Sequence, residues 1–184
     1  AQSSSVPVAR WQLRACFGTL FALFFLINAD HGAVPAALEP IARELRMGFF
    51  GQGLVGAAPY IGLICASIVT SPLLARWPRR TIVLSLVGES ASLGLVVLAA
   101  LGRTSDGAHP RWPLVLSRLG AGACQGVVAI YVPVWVDEFA PARWRSRWMS
   151  YVQAAVPLGI MAGYVSTGLV IGRLGAHAWW CVFV

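Results

Sequence analysis

The sequence predicts an all-α membrane protein that crosses the bilayer several times. Long uncharged stretches alternate with short arginine-bearing loops. No charge occurs between Arg14 and Asp30, Arg46 and Arg76, Arg118 and Asp137, or Arg147 and Arg173, and only Glu89 interrupts Arg80 to Arg103. Each stretch is near or above the roughly 20 residues that a helix needs to cross a bilayer. Charged residues make up 11% of the chain and hydrophobic ones 58%, with a mean hydropathy of +0.70. Helices of a soluble core keep a polar face, so charges return every few residues. Here they do not.

Taken in order, the expected spans are 14–36, 51–74, 81–101, 112–136, 149–171 and 178 onward, close to one per roughly 30 residues of span plus loop. Residues 1–13 read as a cytoplasmic N-terminal segment and 14–184 as one transmembrane domain. The N-terminal AQSSSVPVAR has no apolar secretory region of its own, so the first apolar run is the first span. The run from 178 to Val184 is too short to cross, and the chain starts without Met, which together read as a fragment cut inside its sixth helix.

The net charge of +7 would suggest nucleic acid in a soluble protein. That partner is excluded here, because the basic residues are all arginine and thirteen of the fourteen lie outside the spans or at their ends. Arg10, Arg14, Arg76, Arg79, Arg80, Arg143, Arg145 and Arg147 fall on one side, and Arg43, Arg46, Arg103, Arg111 and Arg173 on the other. The positive-inside rule puts the first group, and the N-terminus, in the cytoplasm. Cys16, Cys65, Cys124 and Cys181 lie in four different spans with no CxxC or Cys/His spacing. They read as small apolar residues, and the pattern calls for no metal or cofactor.

An ionisable residue inside a span marks a candidate functional site. Asp30, His31, Glu89 and Arg118 qualify, with Asn28, Gln125 and Gln153 as neutral companions. With span 1 running outward and span 4 inward, Asp30 and Arg118 both lie roughly 9 Å below the outer surface, at 1.5 Å per residue. Opposite charges at matching depth can pair, which lowers the burial cost of each. The pair reads either as a protonatable switch, in which protonating Asp30 frees Arg118, or as a static tie between two helices. His31 either tunes such a proton step or simply donates a hydrogen bond. Arg118, Gly122, Gln125 and Ala129 form one stripe of span 4. A stripe of this kind lines a water-filled cavity or packs closely through its glycines. Span 5 carries Gln153, Pro157, Tyr164 and Thr167 around a Gly159/Gly163 packing pair. Gly88-Glu89-Ser90 with His177 is too weak a Ser/His pattern to support an intramembrane protease, and no enzyme is expected.

From Arg118 to Tyr164 the chain resembles the core of a major facilitator superfamily half. Arg118 with Gly122, Tyr131 to Val134, Glu138, Pro141 and Arg145 are similar to sugar-porter motifs, and Gln153 falls on that branch's helix-5 glutamine. Asp30-His31-Gly32 resembles the family's Asp-x-Gly on helix 1. Pro157, Gly159, Gly163 and Tyr164 match a spinster-like motif, whose helix-4 glutamate is replaced by Gln125. The loop Ser71 to Arg80 keeps the family's arginines, but Ala75 stands where an aspartate helps lock the cytoplasmic side. That change either removes the lock or moves its acidic partner to Asp137 and Glu138.

The resemblance implies the six-helix half of a twelve-helix bundle, built from two inverted three-helix repeats, with the C-terminal half of the same chain as partner. It implies transport of a small organic solute by alternating access, sugar-like with proton symport in one branch, lysolipid or sphingolipid in the other. A non-transporting scaffold or sensor of the same fold is the remaining alternative. Asp30 and Arg118 would couple protons. Asn28, Gln125, Gln153 and Tyr164 would bind substrate. Arg76, Arg79, Arg80, Glu138 and Arg145 would form the cytoplasmic gate.

Overall fold

The computed structural model describes residues 10–102 and 112–183. Among them the chain is helical throughout and has no strand. The helices are α1 (Arg10–Glu44), α2 (Phe49–Arg76), α3 (Pro78–Leu101), α4 (Trp112–Phe139) and α5 (Arg145–Leu174). A 3₁₀ segment, Ala176–Phe183, follows where a sixth helix was expected to open. All five α-helices contain a window long and apolar enough to cross a membrane. Arg103 and Arg111 of the arginine pattern, and most of segment 1–13, lie outside the described residues.

The helices outrun the uncharged stretches. α1 has 35 residues, about 52 Å at 1.5 Å per residue, against about 30 Å of hydrocarbon. It continues past Pro35 and Pro40 into a polar turn where exposed Glu39 and Arg43 pair at 2.5 Å. Charge ends an apolar run, but an i, i+4 ion pair supports a helix. α1 stops at a left-handed residue, Arg46 at φ 49°. The Met47 N–H then reaches back 2.8 Å to the Ala42 carbonyl, a Schellman closure in which Gly is the usual residue at the left-handed position. α5 ends at Gly175, φ 91°, which suits glycine.

α1 packs along α5, and α2 along α4, with α3 on the outer side of α4. Both main pairs rest on the same glycine arrangement. A Cβ on Gly32 would strike the Ile160 carbonyl, and one on Gly163 the Ala29 carbonyl. A Cβ on Gly122 would strike the Pro59 carbonyl, and one on Gly62 the Leu119 carbonyl. Ala29 and Gly32 on α1 thus correspond to Leu119 and Gly122 on α4, while Ile160 and Gly163 on α5 correspond to Pro59 and Gly62 on α2. This exchange pairs the first helix of each repeat with the second of the other, as two inverted repeats require. Small residues let the backbones meet, where lipid offers helices no hydrophobic drive to associate.

Two apolar clusters fill the bundle. One joins Ala37 and Ile41 to Val55, Val96, Leu114 and Trp179. The other joins Phe24 and Ile27 to Val128, Val132, Val136, Val152 and Ala155. Trp148 closes the second cluster, stacked on Phe17 with ring centroids 4.3 Å apart.

Candidate functional site

The layer between the two clusters is polar. On α1, Asp30 stands between Ile27 of one cluster and Ala33 of the other. On α4, Arg118 and Gln125 occupy the interval between Val115 and Val128. Apolar packing on either side separates this layer from both ends of the bundle.

Arg118 Nη1 lies 2.8 Å from Asp30 Oδ1 and 2.7 Å from Oδ2. The Arg118 side chain is 1% exposed and that of Asp30 9%, so this is a buried ion pair. Gln125, about two turns further along α4, donates from Nε2 to Asp30 Oδ2 at 3.2 Å and to Glu89 Oε1 at 2.9 Å. One amide therefore serves two carboxylates, from α1 and from α3. Glu89 Oε2, Arg118 Nε and Gln125 Oε1 are enclosed and lack a hydrogen-bond partner among the described residues. His31 interacts with Gln125, Asp30 and Arg118, and its ring stacks on Tyr60 of α2 at 5.7 Å. Four helices thus contribute to one polar layer holding two carboxylates, one guanidinium and one imidazole.

The span-4 stripe turns inward. Arg118 and Gln125 face the α1 carboxylate, Gly122 faces α2, and Ala129 packs on the second apolar cluster. Close packing and polar contact share the stripe.

Other candidates stand apart from this layer. Asn28 donates to its own helix, Nδ2 to the Phe24 carbonyl at 2.7 Å, so its amide N–H is engaged locally. Gln153 and Tyr164 are exposed on α5, the tyrosine at 56%. Thr167, by contrast, is fully buried, with Oγ1 unpartnered among the described residues.

The expected gate residues gather at the end of the bundle holding the N-terminus. Arg76 lies over the Trp77 ring at 5.1 Å, and Arg79 and Arg80 are exposed beside it. Arg145 donates to Asp137 at 3.1 Å. Glu138 has no ion-pair partner among the described residues, because the helical turn carries Asp137 and not Glu138 toward the α5 start.

What sequence reasoning lacked was a partner for Glu89. Glu89 is conspicuous as the one charge between Arg80 and Arg103. Its bond to Gln125 depends on how α3 is rotated against α4, which spacing does not reveal.

No curated protein and no solved structure matches the chain. The family model of the Major Facilitator Superfamily matches residues 19–184, which includes all five apolar helices apart from the first turns of α1. An all-helical bundle of five long apolar helices, paired as inverted repeats around a buried polar layer, fits a half of that family's fold, and the chain belongs to the Major Facilitator Superfamily of membrane transporters.

Proposed function

We propose that this chain is the N-terminal half of a secondary transporter that moves a small organic solute by alternating access, coupled to protons through Asp30 and Arg118. The buried Asp30–Arg118 pair between α1 and α4 carries this reading. A buried ion pair is weak support for stability, since apolar side chains of similar volume hold helices as well or better. Ionisable groups in membrane spans instead mark ion and substrate paths. Protonating Asp30 removes the charge that holds Arg118, and the guanidinium is then free to take other acceptors. The two arrangements of α1 against α4 thereby acquire different affinities for a proton, which is what a coupled cycle needs.

Substrate would lie near the midplane, against a C-terminal half, with exposed Gln153 and Tyr164 of α5 offered to it. The N-terminus and the ring of Arg76, Arg79, Arg80 and Arg145 would face the cytoplasm and gate that side.

The test is uptake by the full-length chain in proteoliposomes, using labelled hexoses and labelled lysophospholipids under an imposed proton gradient. One of these should accumulate above equilibrium and lose that accumulation on adding a protonophore. Asp30→Asn should abolish the uphill component and leave counterflow exchange largely intact. Uphill uptake by Asp30→Asn at a normal rate would end the coupling assignment.

A further inference from the structure

Apart from the His31 imidazole, the polar layer holds two carboxylates and one cation. Asp30 and Glu89 both accept from Gln125 Nε2, at 3.2 and 2.9 Å, and among the described residues Arg118 forms its ion pair with Asp30 and not with Glu89. The groups facing Glu89 are Asp30 from α1 and Arg118, Gln125 and Cys124 from α4. α2, which also touches α3, brings it no ionisable group among the described residues. Two ionised carboxylates with one guanidinium would leave an uncompensated negative charge inside a membrane span, which is costly. One proton, on the carboxylate pair or on the neighbouring His31 ring, makes the layer neutral, and the enclosed, unbonded Glu89 Oε2 points to Glu89 as its seat.

The unpartnered atoms fit that proton. Glu89 Oε2 is enclosed and unbonded, a site for a hydroxyl hydrogen, and Gln125 Oε1 is an acceptor with the His31 ring as its neighbour. A partial rotation of the Gln125 amide, so that it straddles the two carboxyl groups, would turn Oε1 toward a protonated Glu89 and leave Nε2 on Asp30. An amide has two donors and two acceptor lone pairs, so it can serve a carboxylate on one side and a carboxylic acid on the other.

We propose that Glu89 on α3 is a second proton-carrying group of this site, linked to Asp30 through the Gln125 amide. The proton arrives from water, forms an O–H bond on the Glu89 carboxylate and later returns to water. Gln125 does not conduct it; its amide orientation reports to Asp30 whether Glu89 is charged. This assignment rests on reading Asp30 and Arg118 as a proton site, but a proton on Glu89 is observable without transport.

The experiment is infrared difference spectroscopy of the purified full-length protein in lipid, titrated with acid in H2O and in D2O. Wild type should show a titrating carboxylic-acid C=O band that moves on deuteration, and Glu89→Gln should lose one component of it. Glu89→Gln keeps an acceptor for Gln125, and a thermal melt checks that the variant is folded. A second route starts from Asp30→Asn. The difference between Asp30→Asn and Asp30→Asn/Glu89→Gln should contain a Glu89 band with a displaced midpoint, and Gln125→Leu should also displace it. Identical bands in wild type and Glu89→Gln would overturn the assignment. A Glu89 band indifferent to both Asp30→Asn and Gln125→Leu would overturn the link. Wild-type uptake insensitive to protonophore, with the Glu89 band present, would remove the coupled-transport reading and leave the Glu89 proton site standing.

Discussion

Arg118 on α4 holds Asp30 on α1 through a single nitrogen, Nη1, placed 2.8 Å from Oδ1 and 2.7 Å from Oδ2. Arginine and carboxylate usually gain their strength from two parallel N–H···O bonds made by two nitrogens. That fork is not used here, and Nε is enclosed without a partner among the described residues. A one-nitrogen contact leaves donors of the guanidinium uncommitted. Such a contact is more easily exchanged for another than a fork would be, which is what the proposed proton switch requires.

The pair also dictates how its removal is felt. Truncating Arg118 leaves a buried carboxylate uncompensated, a loss of about 3–5 kcal/mol for buried pairs in general. Arg118→Leu should therefore lower the melting temperature of the detergent-solubilised full-length protein sharply. Adding Asp30→Asn to Arg118→Leu should restore most of the loss, because no charge is then stranded. A double variant melting as low as the single one would show that lost packing, and not the stranded carboxylate, is responsible.

The glycine contacts make an opposite pair of expectations. Gly122 and Gly32 meet partner backbone carbonyls on α2 and α5, whereas nothing lies within 4 Å of a Cβ at Gly53. Gly122→Ala and Gly32→Ala should each destabilise by about 1–3 kcal/mol or more, since the backbones must separate. Gly53→Ala should be neutral or stabilise by about 0.5–1 kcal/mol, the ordinary helix preference for alanine. Thermal melts of the three variants compare them. Equal melting of all three would mean that the close glycine contacts do not hold the helices together.

Gln153 and Tyr164 are exposed on α5, so their truncation should not disturb the fold. Gln153→Ala should leave the melting temperature unchanged and weaken binding of a polar solute by about 0.5–1.5 kcal/mol, one neutral hydrogen bond. Equilibrium binding to the purified full-length chain measures this. Unchanged affinity would make Gln153 a packing residue against the facing half and favour an amphiphilic, lipid-like substrate.

The number of apolar spans is legible in the sequence because it depends on counting. Charge-free runs count off the spans, and a rise of 1.5 Å per residue puts Asp30 and Arg118 in one layer. Rotation is not legible. Asn28 and Gln153 look equally polar in a list of residues, yet one bonds its own helix and the other is exposed. Glu89 and Gln125 are 36 residues apart, and only the packing of α3 on α4 brings them together. Helix ends are illegible for another reason. The turns beyond the apolar run are held by local devices, such as the Glu39–Arg43 pair and the Arg46 closure, that hydropathy does not register.

Orientation is the last expectation. Arg10, Arg14 and Arg143 converge on one pocket at the end of the bundle where α4 meets α5, and Arg143 and Arg147 flank the Trp144 ring at 5.9 and 4.7 Å. Arg76, Arg79 and Arg80 sit at the same end, because α2 and α4 run the same way. At the opposite end, Arg43 is paired with Glu39, and Glu44 accepts from Trp179 Nε1 at 2.7 Å. The bias of arginines toward the first end predicts that this end lies in the cytoplasm. Cysteines introduced at exposed Ala75 and Ala142 should then resist a membrane-impermeant thiol reagent in intact cells, while Gly48→Cys in the α1–α2 turn should react. Cys16 and Cys65 are exposed and free, so both must first be replaced by serine to give a silent background. Lysis should open Ala75→Cys and Ala142→Cys to the reagent, which proves that they were shielded by the membrane and not by the fold. Labelling of these two sites in intact cells, with Gly48→Cys protected, would invert the topology and place the arginine ring outside.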